Sequence, residues 1–144
     1  MLDFSSSTTL GATINLSSAV VQVVNSNLSL ILGSTSAFEN VLGTALNDVI
    51  TANSANNRLV GGAGDDTYRF NASAALGSDM IEETGTGIDT LDFSTTTTAA
   101  LTVDLTNSGA QVVNSFLTLT LGNASLFENV IGGSLNDQII GNDN

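Results

Sequence analysis

Cysteine, proline, histidine and tryptophan are all absent from the 144 residues, and the only two basic side chains are Arg58 and Arg69. Without Cys there is no disulfide framework, no thiolate metal site and no thiol nucleophile. Without His, zinc and other borderline metals lose their usual ligands. Long apolar runs are missing too, so no segment is expected to span a bilayer. The opening MLDFSSSTTLGATINL has neither the basic start nor the apolar centre of a signal peptide, so any export signal is expected outside this sequence, or export follows another route. Set against 14 acidic residues, the two arginines leave a net charge of −12. Such a surface repels phosphate backbones and anionic membranes, which argues against nucleic-acid binding and membrane insertion.

What remains is informative in kind. Apolar residues make up 42% of the chain while aromatics are only 5%. Val, Leu and Ile dominate, with abundant Thr, Ser, Asn and Gly. That profile suits short β-branched strands between small-residue turns. The acids sit largely beside Gly and Asn, the pattern of turns built to hold a hard cation.

The chain also repeats itself. LDFSSSTT at Leu2–Thr9 returns as LDFSTTTT at Leu91–Thr98, VQVVNS as AQVVNS, and AFENVLGTALNDVI as LFENVIGGSLNDQI. All share one offset of about 89 residues, and about half of the ungapped pairs between Leu2–Ala55 and Leu91–Asn144 are identical. The expected organisation is one unit at 1–89 and part of a second at 90–144. Two readings follow: a piece of a longer tandem array, or a subunit whose uncapped ends stack on neighbours.

Read in nines from Gly43, the first unit gives GTALNDVIT, ANSANNRLV and GGAGDDTYR. The last fits GGxGxDxUx throughout, with Gly61, Gly62, Gly64, Asp66 and Tyr68 in the specified places. The first keeps Gly43, Asp48 and Ile50, and the middle one has Asn57 where Asp belongs. The second unit supplies GGSLNDQII, with Gly132, Gly133, Asp137 and Ile139. Over Gly43–Phe70 and Gly132–Asn144 the chain resembles the RTX family, the haemolysin-type calcium-binding repeats of secreted bacterial toxins, proteases, lipases and adhesins.

The resemblance implies an all-β fold, a right-handed parallel β-roll or β-solenoid, here built from tandem repeats of about 89 residues. Two nonapeptides complete a coil, and Ca2+ sits between turns stacked on one edge. Glycines would let the turns take positive φ and converge carbonyl oxygens, while Asp adds hard anionic oxygen. Val49–Thr51, Arg58–Val60 and Thr67–Arg69 are the expected strands of the calcium run at 43–69, with Ile50, Leu59 and Tyr68 buried. The metal residues expected are Gly43, Asp48, Gly61, Gly62, Gly64, Asp66, Asp79, Asp89 and Asp137. Asp48 and Asp66 should share one ion, and the neutral Asn57 should leave the other edge weak. Asp79 and Asp89, in the acidic segment 77–94, are the expected members of a second site. Asp137, in the nonapeptide start at 132–144, has an incomplete one, and Asp65 is a solvated neighbour.

Outside these runs, Thr13–Leu16, Leu28–Leu32, Thr102–Leu105 and Leu117–Leu121 alternate polar and apolar residues, as strands with one buried face do. They either continue the solenoid or form a small inserted sheet. The function this supports is a calcium-binding structural or adhesive module of a bacterial extracellular repeat protein, secreted or on the cell surface. Calcium would fold and stiffen it, a cell-surface or polysaccharide target is open to it, and homo-polymers could form through stacked solenoid ends. The alternative is a calcium-dependent C-terminal folding or secretion module of a secreted RTX enzyme or toxin. A catalytic role is not expected, because turns account for the acids and no His or Lys is present to join them.

Overall fold

The computed structural model describes residues 1–143. Each nonapeptide spends its glycines and Asn or Asp on a turn and leaves room for only a short strand. The chain opens with β1 (Leu2–Asp3), β2 (Thr13–Asn15) and a hairpin of β3 (Gln22–Asn25) and β4 (Leu28–Leu30). Four three-residue strands then start nine residues apart: β5 (Asn40–Leu42), β6 (Val49–Thr51), β7 (Arg58–Val60) and β8 (Thr67–Arg69). The longer β9 (Gly77–Glu82) precedes β10 (Thr90–Asp92) and β11 (Thr102–Asp104). A second hairpin, β12 (Ala110–Asn114) and β13 (Leu117–Leu121), leads to β14 (Asn129–Ile131) and β15 (Gln138–Ile140). A 3-10 turn at Ala124–Leu126 is the only helical segment among the described residues.

Successive nonapeptide strands fall in opposite sheets, as two repeats per coil require. One sheet runs β1-β5-β7-β9-β13-β12 and the other β14-β10-β8-β6-β2. Every pairing within them is parallel except that of β12 with β13. Registers align the central strand residues into two columns. Ile14, Ile50, Tyr68, Leu91 and Val130 stack in one sheet, and Leu2, Val41, Leu59, Ile81 and Leu121 in the other. These columns face each other as a thin continuous core in which Ile50, Leu59 and Tyr68 are buried. Each such side chain contributes roughly 1.5–3 kcal/mol of burial. Tyr68 also meets Phe127 edge-on, and Phe70 stacks on Phe93.

The pairing registers recur between the two halves of the chain. Leu2 opposes Val41 as Leu91 opposes Val130, and Thr13 opposes Val49 as Thr102 opposes Gln138. Both hairpins carry the same irregularity, before Asn25 and before Asn114. Equivalent strands change face, however: β1 lies in the six-stranded sheet and β10 in the five-stranded one. The period-two segment Leu117–Leu121 buries Leu117, Leu119 and Leu121 and pairs directly with β9, so it extends the sheet and makes no separate layer. Asp3 and Asp92, equivalent in sequence, both hold local turns, accepting from the amides of Ser5 and Ser94.

Candidate metal centre

One edge of the coil stack is built from turns lying directly on turns. Gly62 (φ +119°) lies against the Thr44 carbonyl, and Gly64 (φ +105°) against the backbone of Leu46 and Asn47. A Cβ at either place would strike main chain, and positive φ is strained for any other residue. The next turn repeats the device, with Gly85 against the Gly62 carbonyl and Gly87 against that of Gly64.

Close stacking would strand backbone amides, and acidic side chains accept from them instead. The Ala12 amide donates to Asp48 Oδ1 at 2.6 Å, the Asp48 amide to Asp66 Oδ1 at 2.7 Å, and the Asp66 amide to Asp89 Oδ1 at 2.9 Å. The Asp89 amide ends the rail on Glu128 Oε2 at 2.7 Å. The second oxygen distinguishes the sites. Asp48 Oδ2 accepts from the Thr44 amide, and Asp137 Oδ2 from the Gly133 amide, each at 2.6 Å. At Asp66 the corresponding donor, the Gly62 amide, is turned to Glu83 Oε2 at 3.4 Å. Asp66 Oδ2 is left buried without a partner, on a residue only 1% exposed.

That orphaned oxygen belongs to a cluster. Carboxylate oxygens of Asp66, Glu83 and Asp89 all lie within 4.8 Å of one another, and all three residues are buried. The Tyr68 hydroxyl donates to Glu83 Oε1. Gly61 leaves the necessary space, since a Cβ there would meet Asp66 Oδ2 and the Tyr68 hydroxyl. Neither arginine serves this cluster: Arg58 pairs with Glu82 and Arg69 with Asp92.

Three buried carboxylates without a counter-charge resist ionisation. Burial, reinforced by neighbouring acids, pushes Asp66 up to about 8, Glu83 to about 7 and Asp89 to about 6. Burial also raises the Tyr68 phenol, which keeps it a donor. The donor set is all oxygen, anionic and enclosed, and it fits a hard divalent ion of the Ca2+ type. Such an ion would favour the ionised forms and satisfy Asp66 Oδ2.

A pH dependence follows. Unfolded carboxyls titrate near about 4, so between about pH 4 and about pH 8 the calcium-free folded chain holds more protons than the unfolded one. Stability of the chelated chain is therefore fully present at low pH and falls as pH rises through that window. Calcium affinity moves the other way, because protons compete for the same oxygens. Thermal melts of calcium-free protein should give a higher Tm at pH 5 than at pH 8, and the reverse order would contradict this electrostatic picture.

The expected metal residues divide clearly in the structure. Gly43, Asp48, Gly61, Gly62, Gly64, Asp66 and Asp89 share this edge. Asp48 does stack on Asp66, yet both its oxygens are taken by amides and by the Thr44 hydroxyl. Asp79 and Asp89 are not brought together. Asp79 lies on the opposite edge, where Oδ1 accepts from the Asn57 amide at 2.8 Å and Oδ2 is unpartnered, and burial pushes its carboxyl up to about 7. The physical reason is the alternation of sheets, which sends β9 and β10 to different faces. Asp137 accepts from the Leu101 and Gly133 amides, one on each oxygen. Asp65 is exposed and accepts from the Ile88 amide.

Glu83 is the member that sequence reasoning missed. The signal was present: Gly85, Gly87 and Asp89 repeat the spacing of Gly62, Gly64 and Asp66, which marks Glu83–Asp89 as a further, degenerate turn on the same edge.

A scan against protein families decides what kind of run this is. Residues 42–72 match the RTX calcium-binding nonapeptide repeat. The family description specifies four copies of the repeat, and RTX nonapeptides bind Ca2+. RTX repeats are structural and calcium-binding in character and typical of secreted bacterial proteins. The matched stretch contains Asp48, Asn57, Asp66 and Tyr68 but stops short of Glu83 and Asp89. No curated protein and no solved structure matches the chain. Among the described residues no helix is long and apolar enough to cross a membrane.

Proposed function

We propose that the chain is a calcium-stiffened structural module of a bacterial extracellular repeat protein, a right-handed solenoid of tandem units of about 89 residues, here 1–89 and part of a second over 90–144. Its ion is held between consecutive coils by Asp66, Glu83 and Asp89. The observation that carries this reading is the buried, unpartnered Oδ2 of Asp66, a residue of the RTX run, facing two carboxylates from the turn that follows the run. The ion's work there is to join the turn of residues 61–66 to that of 83–89 and to cancel charge that would otherwise drive them apart. Recurrence of the same strand registers in both halves favours a rod-forming surface or adhesive protein over a folding segment attached to a secreted enzyme. The acids are engaged in turns and amide capping, which supports a non-catalytic role.

The chain contains one tyrosine and no tryptophan, and that tyrosine donates its hydroxyl hydrogen bond into the cluster. Terbium, a luminescent substitute for calcium, should therefore emit on excitation of Tyr68, and added calcium should quench the signal by displacement. Glu83→Gln, which removes one of three anionic ligands, should weaken terbium binding by ~10–100-fold. Absence of sensitised emission from the folded protein would place the ion elsewhere.

A further inference from the structure

The turns that follow β2, β6, β8 and β10, neighbouring strands of one sheet, enclose a groove of about 530 Å³, within the size range of small-ligand sites. Strand registers set Asn15, Thr51 and Arg69 in one outward row along its wall, at the ~4.8 Å spacing of adjacent strands. Ala52 and Leu76 are buried and give it an apolar floor. Ser17, Ser54, Asn71 and Thr95 stand exposed around it. The second repeat shapes a smaller groove of about 340 Å³ in the same place. There Thr106, Ala124, Asn142 and Asp143 are the counterparts of Ser17, Thr35, Asn53 and Ser54. In both, the Asn ties the groove to the neighbouring loop: Asn53 Nδ2 donates to the Phe38 carbonyl at 2.9 Å, and Asn142 Nδ2 to that of Phe127 at 2.8 Å. The groove is thus a product of the repeat's own fold.

No acidic side chain lines the larger groove, although the chain has 14 of them. Arg69, one of only two basic residues, does line it. The other, Arg58, is closed on both carboxylate oxygens of Glu82. Arg69 donates through Nε alone, to Asp92 Oδ2 at 3.2 Å, and its two terminal nitrogens have no protein acceptor among the described residues. The contact with Asp92 orients the guanidinium and leaves an open fork of the kind that takes a carboxylate. Nearby, Asn15 and Asn71 spend Oδ1 on the amides of Ser17 and Ser73, and their Nδ2 groups have no protein acceptor among the described residues. With the hydroxyls of Thr51, Ser54 and Thr95, these supply the mixed donors and acceptors that ligand hydroxyls need. The net charge of −12 keeps densely charged polyanions away.

We infer that the larger groove binds an acidic saccharide, with ring hydroxyls and a single carboxylate of the uronic type. The carboxylate meets the Arg69 fork, the hydroxyls meet Asn15, Thr51 and Asn71, and the ring face lies over Ala52 and Leu76. The inference rests on the surface or adhesive reading above for its setting and gives that reading a ligand, while its chemistry needs no bound ion. The smaller groove carries Asp143 where the larger has Ser54, and that carboxylate repels the same ligand.

Methyl glucuronide and methyl glucoside differ only in a carboxylate against a hydroxymethyl group, and they make a matched pair of probes. Titrated into the calcium-loaded chain, the glucuronide should shift the NMR signals of Thr51, Ser54, Arg69 and Asn71 and saturate. The glucoside should bind the same residues ~10-fold more weakly. Acetate, which has the carboxylate without the hydroxyls, should also bind more weakly than the glucuronide. Arg69→Gln should bring the glucuronide down to the glucoside's affinity, and Ser54→Asp should weaken the glucuronide while sparing the glucoside. Arg69 is half-exposed and its ion pair contributes little to stability, so the variant should keep the parent's far-UV spectrum and Tyr68-sensitised terbium emission. Equal affinity for the two sugars, acetate binding as tightly as the glucuronide, or an Arg69 variant that binds like the parent would each overturn the inference. Shifts confined to the Asp66–Asp89 edge would overturn it too, by placing the sugar on the ion. If the glucuronide fails to bind a chain that still sensitises terbium, the inference falls and the calcium-stiffened module stands.

Discussion

Treating the calcium-loaded chain with excess chelator is expected to lower its Tm by about 10 °C or more and to loosen its β structure. An ion held at 100 times its dissociation constant contributes about 2.7 kcal/mol, and for a chain of this size each kcal/mol moves Tm by roughly 4 °C. The reserve to absorb that loss is small, because most strands are three residues long and the core is only two columns wide. Removing the ion also restores repulsion among Asp66, Glu83 and Asp89 and leaves Asp66 Oδ2 without a partner. Circular dichroism melts with chelator and then with millimolar calcium measure the difference directly. Superimposable melts would remove calcium from the folding of this chain.

Gly61→Ala is expected to abolish the stability that calcium confers. Gly61 has no positive φ, so alanine meets no backbone strain there. The new Cβ instead collides with Asp66 Oδ2, Asp66 Cγ and the Tyr68 hydroxyl. Overpacking a buried site costs roughly 1–3 kcal/mol, and the ion's contribution is lost in addition. The diagnostic result is that the variant's Tm in calcium equals its Tm in chelator. Gly33→Ala provides the contrast: its φ of +80° strains alanine, yet nothing lies within 4 Å of the added carbon. That variant should lose ~1 kcal/mol and keep its full calcium response. A Gly61 variant that still gains stability from calcium would show that the ion lies outside the cluster.

The sequence was a good guide wherever a local rule acts alone. Val49–Thr51, Arg58–Val60 and Thr67–Arg69 are strands with the expected residues buried, because glycine spacing fixes turn length and turn length fixes which side chain points inward. The same rule stacks Asp48 on Asp66 and sends Asn57 to the opposite edge. It fails where turn length changes. The stretch between Asp66 and Asp89 is longer than two nonapeptides, and counting acids by mutual spacing wrongly joined Asp79 to Asp89. Nor could spacing show that Asp48 spends both oxygens on amides while Asp66 keeps one free. That depends on Gly62 turning its N–H toward Glu83, a long-range contact with no local signature.

The stacked turns are stitched in both directions. Buried Asp48, Asp66 and Asp89 accept from amides of the preceding coil, while the adjacent Asn47 and Asp65 accept from amides of the following one. These links run along the long axis of the stack, the direction in which a surface tether is pulled. Under tension, the ladders between coils are loaded by being opened one bond after another, a weak geometry. The side-chain stitches span the same gaps and add to the ladders there, and an ion held as proposed by Asp66, Glu83 and Asp89 would reinforce one of them. In the extracellular rod proposed above, a stretched chain would then part first at its unreinforced coils and last at this one, so that the surrounding calcium concentration would set the force its strongest link withstands.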